Sequence, residues 1–250
     1  SYNSKTTSSV RGTDIVLAID ISASMSANDM QPNRFEAAKE VAIDFVKGRP
    51  DDNIGVVAFG GQSLSLMPLT QDRNALVTTI ANLKMGDLDN GTAIGDGLAS
   101  AINRLSAGQA KSKSIILLTD GTNNTGEVEP STAAEIAHDK GMRVYTIGVG
   151  TDQNIQVTDP YGFTSTTIET KIDEDALKAI AKTTDGRYFR AQDASTLREV
   201  FRTIDRLEKS RLDVSKFSRM DENFFPWVLA ALIAYALMIA IRYTVIRRIP

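Results

Sequence analysis

Short apolar runs alternate with longer amphipathic segments along most of the 250-residue chain. In the longer segments the apolar residues recur at helical spacing, whereas the short runs are apolar at nearly every position, as expected of strands buried on both faces. Alternating elements of these two kinds predict an α/β fold with a mostly parallel sheet covered by helices. The runs that predict buried strands are 14–19, 54–59, 114–119 and 144–149.

One further run has a different pattern. After Gly60-Gly61, Leu64 and Leu66 alternate with serine, and Pro68 follows. Proline within a strand favours an edge position, because it cannot donate a ladder hydrogen bond. The short connection through the glycines predicts that this third strand is antiparallel to the second.

Capping residues and proline positions predict where the helices begin. Asp72 and Asp173 are expected to be N-caps, Pro130 stands in a first-turn position, and Ser195 opens the last helix of the domain. The Thr-rich segment 151–170 is expected to be an exposed loop or hairpin, more often solvated than a recognition element.

The C-terminal region has a separate character. Phe224 to Ile241 carries no charged residue, and Trp227 and Tyr243 stand near its ends, which predicts a transmembrane helix. A buried core helix is the alternative. The expected division is a flexible stretch at 1–11, the folded domain at 12–209, a linker at 210–223, the membrane helix at 224–243 and a basic tail at 244–250.

Composition removes several classes of function. The net charge of −3 does not favour nucleic-acid binding. The absence of cysteine excludes disulfides, thiolate metal sites and a cysteine nucleophile. The single histidine, His138, is expected on a helix surface rather than in a catalytic site.

Candidate chemistry begins where the first strand ends. Asp20, Ser22 and Ser24 occupy alternate positions, so in extended chain their oxygens face the same side. Oxygen ligands of this type suit a hard divalent cation such as Mg²⁺ or Mn²⁺. The pentapeptide alone fits equally well a polar strand end followed by a Ser-rich turn.

Two other segments add oxygen ligands near strand ends. Thr92 lies in a polar, Gly-rich loop, and Asp120 ends the strand at 114–119. In parallel sheets ligands bind at the carboxyl ends of the strands, near the point where the strand order reverses. No Lys or Arg lies within these motifs, and neighbouring carboxylates repel, so a bound divalent ion is the simplest expectation.

The set Asp-x-Ser-x-Ser, a loop threonine and a strand-ending Thr-Asp-Gly resembles the metal-ion-dependent adhesion site of von Willebrand factor A domains. The resemblance implies that the hydroxyls of Ser22, Ser24 and Thr92 ligate the ion. Asp20 and Asp120 would hold the ion directly or through water. It also implies one open coordination position, which the Asp or Glu of a protein partner fills.

Further motifs resemble the bacterial aerotolerance (BatA-type) subgroup of that family. The resemblance implies a Rossmann-like sheet of order 3-2-1-4-5-6 with strand 3 antiparallel. It implies MoxR-type AAA+ ATPases and other aerotolerance proteins as partners, and membrane-spanning sequence before the domain, so the chain is expected to be a fragment. The motifs lie at 94–98, 117–124, 144–150, 172–174, 186–191 and 204–209.

The leading functional hypothesis is a membrane-anchored, non-enzymatic module that binds a partner through the metal. The alternative is a Mg²⁺-dependent phosphohydrolase that uses the strand-end carboxylates. The motifs lack a cation to stabilise a transferring phosphate, and the chain has no phosphate-binding loop. The denser Arg cluster after the apolar segment favours a cytoplasmic C-terminus and a periplasmic domain. The resemblance to the aerotolerance subgroup implies the same orientation, in the bacterial inner membrane.

Three residues near the expected site have open roles. Asp96 is expected to cap the helix after Thr92, with outer-shell support of a ligand as the second possibility. Met25 and Met30 are equally compatible with packing and with a contact rim.

Overall fold

The computed structural model of the chain describes residues 12–151, 153–158, 165–170, 172–217 and 225–244. The expected flexible stretch at 1–11 and most of the expected basic tail, 245–250, lie outside the described residues, as does 218–224 of the expected linker. The chain divides into two compact units, residues 1–212 and 213–250.

The first unit alternates strands and helices along the chain. Its strands are β1 (Asp14–Asp20), β2 (Asn53–Phe59), β3 (Ser63–Thr70), β4 (Lys113–Thr119), β5 (Arg143–Val149), β6 (Gln153–Thr158), β7 (Ser165–Thr170) and β8 (Tyr188–Ala191). Its helices are α1 (Arg34–Lys47), α2 (Arg73–Ala81), α3 (Ile94–Ser106), α4 (Pro130–Asp139), α5 (Glu174–Thr183) and most of α6 (Ala194–Phe217), with a short 3₁₀ helix at Ala23–Ser26.

The main sheet has six strands in the order β3-β2-β1-β4-β5-β8. Strand β3 pairs antiparallel with β2, and the remaining neighbours are parallel. Strand β8 is the sixth strand of this sheet along the chain, so the structure confirms the expected order 3-2-1-4-5-6 and the antiparallel edge strand. Strands β6 and β7 form a separate antiparallel hairpin, so the segment expected to be a loop or hairpin contains a hairpin.

The sheet is covered on both faces. Alternate residues of β1 enter different cores: Ile15 and Leu17 pack with residues of α1, α2 and α6, whereas Val16 and Ala18 pack with residues of α3, α4 and α5. Every residue of β1 is buried. Burial on both faces explains why the central strands are apolar at almost every position.

The helix boundaries follow the capping signals. The side chains of Asp72 and Asp173 accept hydrogen bonds from the amides of Ala75 and Ala176, and Pro130 is the first residue of α4. Helix α6 differs from expectation, because it continues to Phe217 through part of the segment expected to be a linker.

Just before that segment, Glu208 holds α6 against the folded domain. Glu208 is only 1% exposed and accepts hydrogen bonds from Tyr145 Oη at 2.7 Å and from Ser112 Oγ at 3.0 Å. Arg143 Nη2 adds an ion pair at 3.0 Å. A charged residue that is paired in the interior belongs to the folded domain rather than to a linker.

The second unit contains α7 (Phe225–Thr244). The expected transmembrane helix is not found: in the described part of the chain, no helix has both the length and the apolar character needed to cross a membrane.

Candidate metal site

Four of the five predicted site residues, all except Thr92, lie at the carboxyl ends of β1 and β4, which are parallel neighbours in the middle of the sheet. After β1 the chain forms α1 and then β2 on one side, and after β4 it forms α4 and then β5 on the other. The strand order therefore reverses between β1 and β4. This is the position at which open α/β sheets leave a crevice for a ligand.

Asp20 is buried at the end of β1, and both of its carboxylate oxygens are held. Oδ1 accepts a hydrogen bond from the amide of Ser22 at 2.8 Å, and Oδ2 accepts one from Thr119 Oγ1 at 2.6 Å. The amide of Ile21 continues the pairing to Phe59 O at 2.8 Å. These bonds fix the orientation of the Asp20 carboxylate.

The two serines join β1 to Asp120. Ser22 is extended and precedes the 3₁₀ helix Ala23–Ser26, which directs Ser24 back over the strand end. Ser22 Oγ lies 3.1 Å from Ser24 Oγ, and Ser24 Oγ donates to Asp120 Oδ1 at 2.6 Å. Asp20, Ser22, Ser24 and Asp120 are thus brought together by direct contacts, which excludes a solvent-directed Ser-rich turn.

Thr92 comes from a third loop and is 4% exposed. Its amide donates to Asn124 Oδ1 at 2.8 Å, and the amide of Asn124 donates back to Thr92 O at 3.1 Å. A Cβ at Gly121 would lie 3.3 Å from Thr92 Oγ1, so the glycine leaves room for this hydroxyl beside Asp120. Asn123 supports the same loop, because its Oδ1 accepts from the amide of Ile94 at 2.8 Å.

Arg34 is the functional residue that sequence reasoning missed. The motifs themselves contain no cation, but Arg34, in the first turn of α1, donates from Nη1 to Asp120 Oδ2 at 2.8 Å. The side chains of both residues are fully buried. A divalent ion is therefore not needed to compensate Asp120, because Arg34 already does so.

Arg34 is itself paired with Asp29. Its Nε and Nη2 donate to the two carboxylate oxygens of Asp29 at 2.7 and 2.6 Å. Burial alone would raise the pKa of Asp29, but the hydrogen bonds from Arg34 and Thr151 outweigh it, so the pKa of Asp29 is lowered. The sequence carried no local signal for this pair, because a charged residue at the start of an amphipathic helix is typically solvated.

The site has unusual electrostatics because its two carboxylates are buried. Desolvation, and then the nearby charge of Asp120, raise the pKa of Asp20 to about 7. Desolvation also raises the pKa of Asp120, against the hydrogen bond from Ser24 and the charge of Arg34. A cation placed between the two carboxylates would favour the ionised form of each.

The neighbouring residues have structural roles. Asp96 does not cap α3 and contacts none of the site residues: its carboxylate accepts from the amides of Glu127 and Val128, the latter at 2.8 Å, and so holds the loop after β4. Met25 and Met30 are buried in the core, so they are packing residues rather than part of a contact rim. His138 is exposed on α4, as expected.

The donor set fits a hard divalent ion. It combines two carboxylates with three neutral hydroxyls, and contains no nitrogen or sulfur donor. Among the described residues, no group of three or more His, Cys, Asp or Glu side chains could hold a metal. Any metal bound at this site would therefore depend on hydroxyl ligands and retain much of its positive charge.

The chain belongs to the von Willebrand factor type A domain family, whose model matches residues 14–203. Among solved structures, BatB from Bacteroides thetaiotaomicron superposes with a TM-score of 0.72 at 27% identity over 79% of this chain and all of that one. An aerotolerance-related membrane protein from Bacteroides fragilis superposes with a TM-score of 0.67 at 26% identity, and the match covers 77% of this chain and 98% of that one.

A third solved structure bears on the metal. Proximal thread matrix protein 1 from the mussel byssus, described with a zinc-occupied MIDAS motif, gives a TM-score of 0.61 at 26% identity. It covers 78% of this chain and 45% of that protein. A divalent metal at such a motif is thus described for a protein that this chain resembles.

Curated relatives extend beyond this chain. An uncharacterized protein of Borreliella burgdorferi is 35% identical over 147 residues, which are 58% of this chain and 43% of that protein. A UPF0353 protein of Nocardia farcinica is 28% identical over 257 aligned positions, 94% of this chain and 73% of that protein. The aerotolerance-related resemblance is supported, although the neighbour that carries a subgroup name is BatB rather than BatA.

Proposed function

We propose that this chain is a membrane-associated, metal-dependent protein-binding module. The observation that supports this most directly is the convergence of Asp20, Ser22, Ser24 and Asp120 through contacts of 2.6 to 3.1 Å where the strand order reverses. The site is assembled from loops on a rigid parallel sheet, which is the arrangement that presents a binding group most reproducibly.

In the proposed site the hydroxyls of Ser22, Ser24 and Thr92 and the carboxylates of Asp20 and Asp120 hold Mg²⁺ or Mn²⁺. Arg34 neutralises part of the charge of Asp120, so the protein donates little negative charge to the ion. The bound ion would supply a Lewis-acidic position that accepts an Asp or Glu carboxylate of the partner. The protein residues contribute orientation, burial and limited charge donation.

A phosphohydrolase is the alternative, and the position of Arg34 argues against it. The site does contain a cation, but the Arg34 side chain is fully buried and bonded to both Asp29 and Asp120. A cation that stabilises a transferring phosphate must reach the substrate. The proposal is therefore an interaction module without catalytic activity.

Membrane association is the second part of the proposal. The Bacteroides fragilis neighbour is named a membrane protein, and α7 exposes large apolar side chains, among them Leu232 and Tyr235 at 60% each. Exposed apolar surface of this kind marks contact with a partner or a membrane. We propose the bacterial inner membrane with a periplasmic domain, which protease accessibility in spheroplasts tests, since a protected domain would contradict it.

A partner protein supplies the carboxylate in this proposal, with MoxR-type AAA+ ATPases and other aerotolerance proteins as candidates taken from the family resemblance. The test is capture from solubilised membranes and cytosol with the 250-residue chain as bait. One arm contains Mg²⁺ and the other a chelator. We expect a protein that is retained only with metal, whereas equal recovery in both arms would contradict metal-bridged binding.

A further inference from the structure

Arg34 has contacts on two sides that belong to different parts of the fold. On one side it reaches Asp120 in the candidate site at 2.8 Å. On the other, its Nη2 donates to Thr151 O at 3.0 Å, in addition to its two bonds to Asp29. One buried guanidinium therefore connects the loop after β4 with the loop after β5.

Asp29 completes this connection. Its Oδ2 accepts from the Thr151 amide at 2.8 Å and from Thr151 Oγ1 at 2.9 Å. Both the amide and the carbonyl of Thr151 are thus bonded to the Arg34–Asp29 pair. Thr151 is two residues before β6, the first strand of the separate hairpin.

The backbone before Thr151 is packed against the same guanidinium. Gly150 has φ +102°, and a Cβ there would lie 2.2 Å from Arg34 Cζ. The Gly150 amide donates to Ala191 O at 2.8 Å, and Arg190 Nε donates to Gly150 O at 3.0 Å. The junction is held between Arg34 on one side and β8 on the other.

We propose that Arg34 is a positioning residue that couples the metal site to the Gly150–Thr151 junction and so to the base of the β6–β7 hairpin. This inference rests on the proposed function, because it concerns the same metal site. An ion that fixes Asp120 also fixes Arg34, Asp29 and Thr151 through a continuous set of buried or partly buried bonds. Because such coupling is reciprocal, a partner that contacts the base of the hairpin changes the affinity of the site for the ion.

The exchange rate of the Thr151 amide tests this coupling. That amide donates to Asp29 Oδ2, whereas the Ala176 amide donates to Asp173 Oδ1 at the start of α5, outside this set of bonds, and is an internal reference. Residue-resolved hydrogen exchange of the 250-residue chain is measured with and without saturating Mg²⁺, together with the Mg²⁺ dissociation constant. The variants are Asp29→Ala and, as a control on a distant helix cap, Asp72→Ala.

We expect Mg²⁺ to slow exchange of the Thr151 amide at least fivefold in the parent chain and in Asp72→Ala, with a change below twofold at the Ala176 amide. In Asp29→Ala we expect a Mg²⁺-dependent slowing below twofold, with the chain folded. Asp29→Asn, which keeps one acceptor oxygen, should give an intermediate value.

Two results would overturn the coupling while leaving the metal site intact. One is Mg²⁺ binding with an unchanged exchange rate of the Thr151 amide, and the other is full slowing of that exchange by Mg²⁺ in folded Asp29→Ala. Absence of saturable Mg²⁺ binding by the parent chain would instead overturn the proposed function, and the coupling with it.

Discussion

Ser24 Oγ donates a hydrogen bond to Asp120 Oδ1 at 2.6 Å, although the two residues are 96 positions apart in the chain. The contact exists because β1 and β4 are parallel neighbours that end at the same edge of the sheet. The fold alone therefore places a hydroxyl and a carboxylate in one small volume. Side chains held in this way by rigid strands have the fixed geometry of a preorganised site.

Replacement of Ser24 should separate binding from folding. Ser24→Ala removes one proposed ligand and one hydrogen bond to Asp120, so we expect metal-dependent capture to be lost while stability falls by about 1 kcal/mol. Ser26→Ala is the matched control, since Ser26 lies on the same 3₁₀ helix and its Oγ donates to Ala23 O. Capture assays and thermal denaturation measure both effects, and a folded Ser24→Ala chain that still captures the partner would contradict the metal-bridged mechanism.

Metal affinity should depend on pH through Asp20. Its pKa is raised to about 7 by burial and by Asp120, whereas in the unfolded chain an Asp has a pKa of about 3.9. Between these values the folded, metal-free protein holds a proton that the unfolded chain has released, so this group favours folding less as the pH rises from about 4 to about 7. Ion binding requires the carboxylate, so affinity should rise with pH and level off above about 7.

The increase in melting temperature at a fixed Mg²⁺ concentration should therefore be larger at pH 8 than at pH 6. Ionic strength is matched with NaCl in every sample, which removes the effect of screening. A larger increase at pH 6 would show that a proton does not compete with the ion at this carboxylate.

Gly150 provides a test of the packing around Arg34. Gly150→Ala places a methyl group against the guanidinium and imposes φ > 0 on a residue with a side chain, so we expect a loss of about 3 kcal/mol. Gly141→Ala is the control, because Gly141 also has positive φ but nothing lies within 4 Å of the added Cβ. Gly141→Ala should lower the free energy of unfolding by about 1 kcal/mol. Equal losses in urea denaturation would mean that contact with Arg34 does not contribute.

The buried pairing of Glu208 should make stability sensitive to acid. Burial alone would raise the pKa of Glu208, but the hydrogen bond and charge of Arg143 outweigh it, so the pKa is lowered. Its contribution is then present above the unfolded pKa of about 4.3 and is lost as the pH falls through the lower folded value.

Glu208→Gln should therefore cost about 2 kcal/mol at pH 7 and much less at pH 3. Glu135→Gln, on the exposed part of α4, should change little at either pH. Urea denaturation at both pH values measures the difference, and a cost for Glu208→Gln that does not depend on pH would show that its charge is not involved.

Much of the fold was predictable because local and global signals agree. The buried strands are apolar at nearly every position since they are covered on both faces, and the caps Asp72 and Asp173 have their expected amide partners. Pro68 correctly indicated the edge strand β3. Four of the five proposed ligand residues could be predicted to lie together, because the spacing of Asp20, Ser22 and Ser24 is local and Asp120 ends a strand abruptly. That these residues bind a metal stays a prediction.

The support around the ligands could not be predicted in the same way. Arg34 and Asp29 are five residues apart, but their meeting with Asp120 and Thr151 depends on how α1 packs against the sheet. A charged residue at the start of an amphipathic helix is typically solvated, so nothing local distinguishes Arg34. Asp96 was misassigned for a related reason, since the amides it binds come from the loop after β4.

A Mn²⁺ titration followed by electron paramagnetic resonance tests the central claim most directly, with Mg²⁺ added afterwards as a competitor. The account predicts one saturable Mn²⁺ per chain, displaced by Mg²⁺, and loss of that binding in Asp120→Ala while Asp72→Ala binds normally. A folded parent chain without saturable Mn²⁺ binding, or unchanged binding in Asp120→Ala, would contradict it.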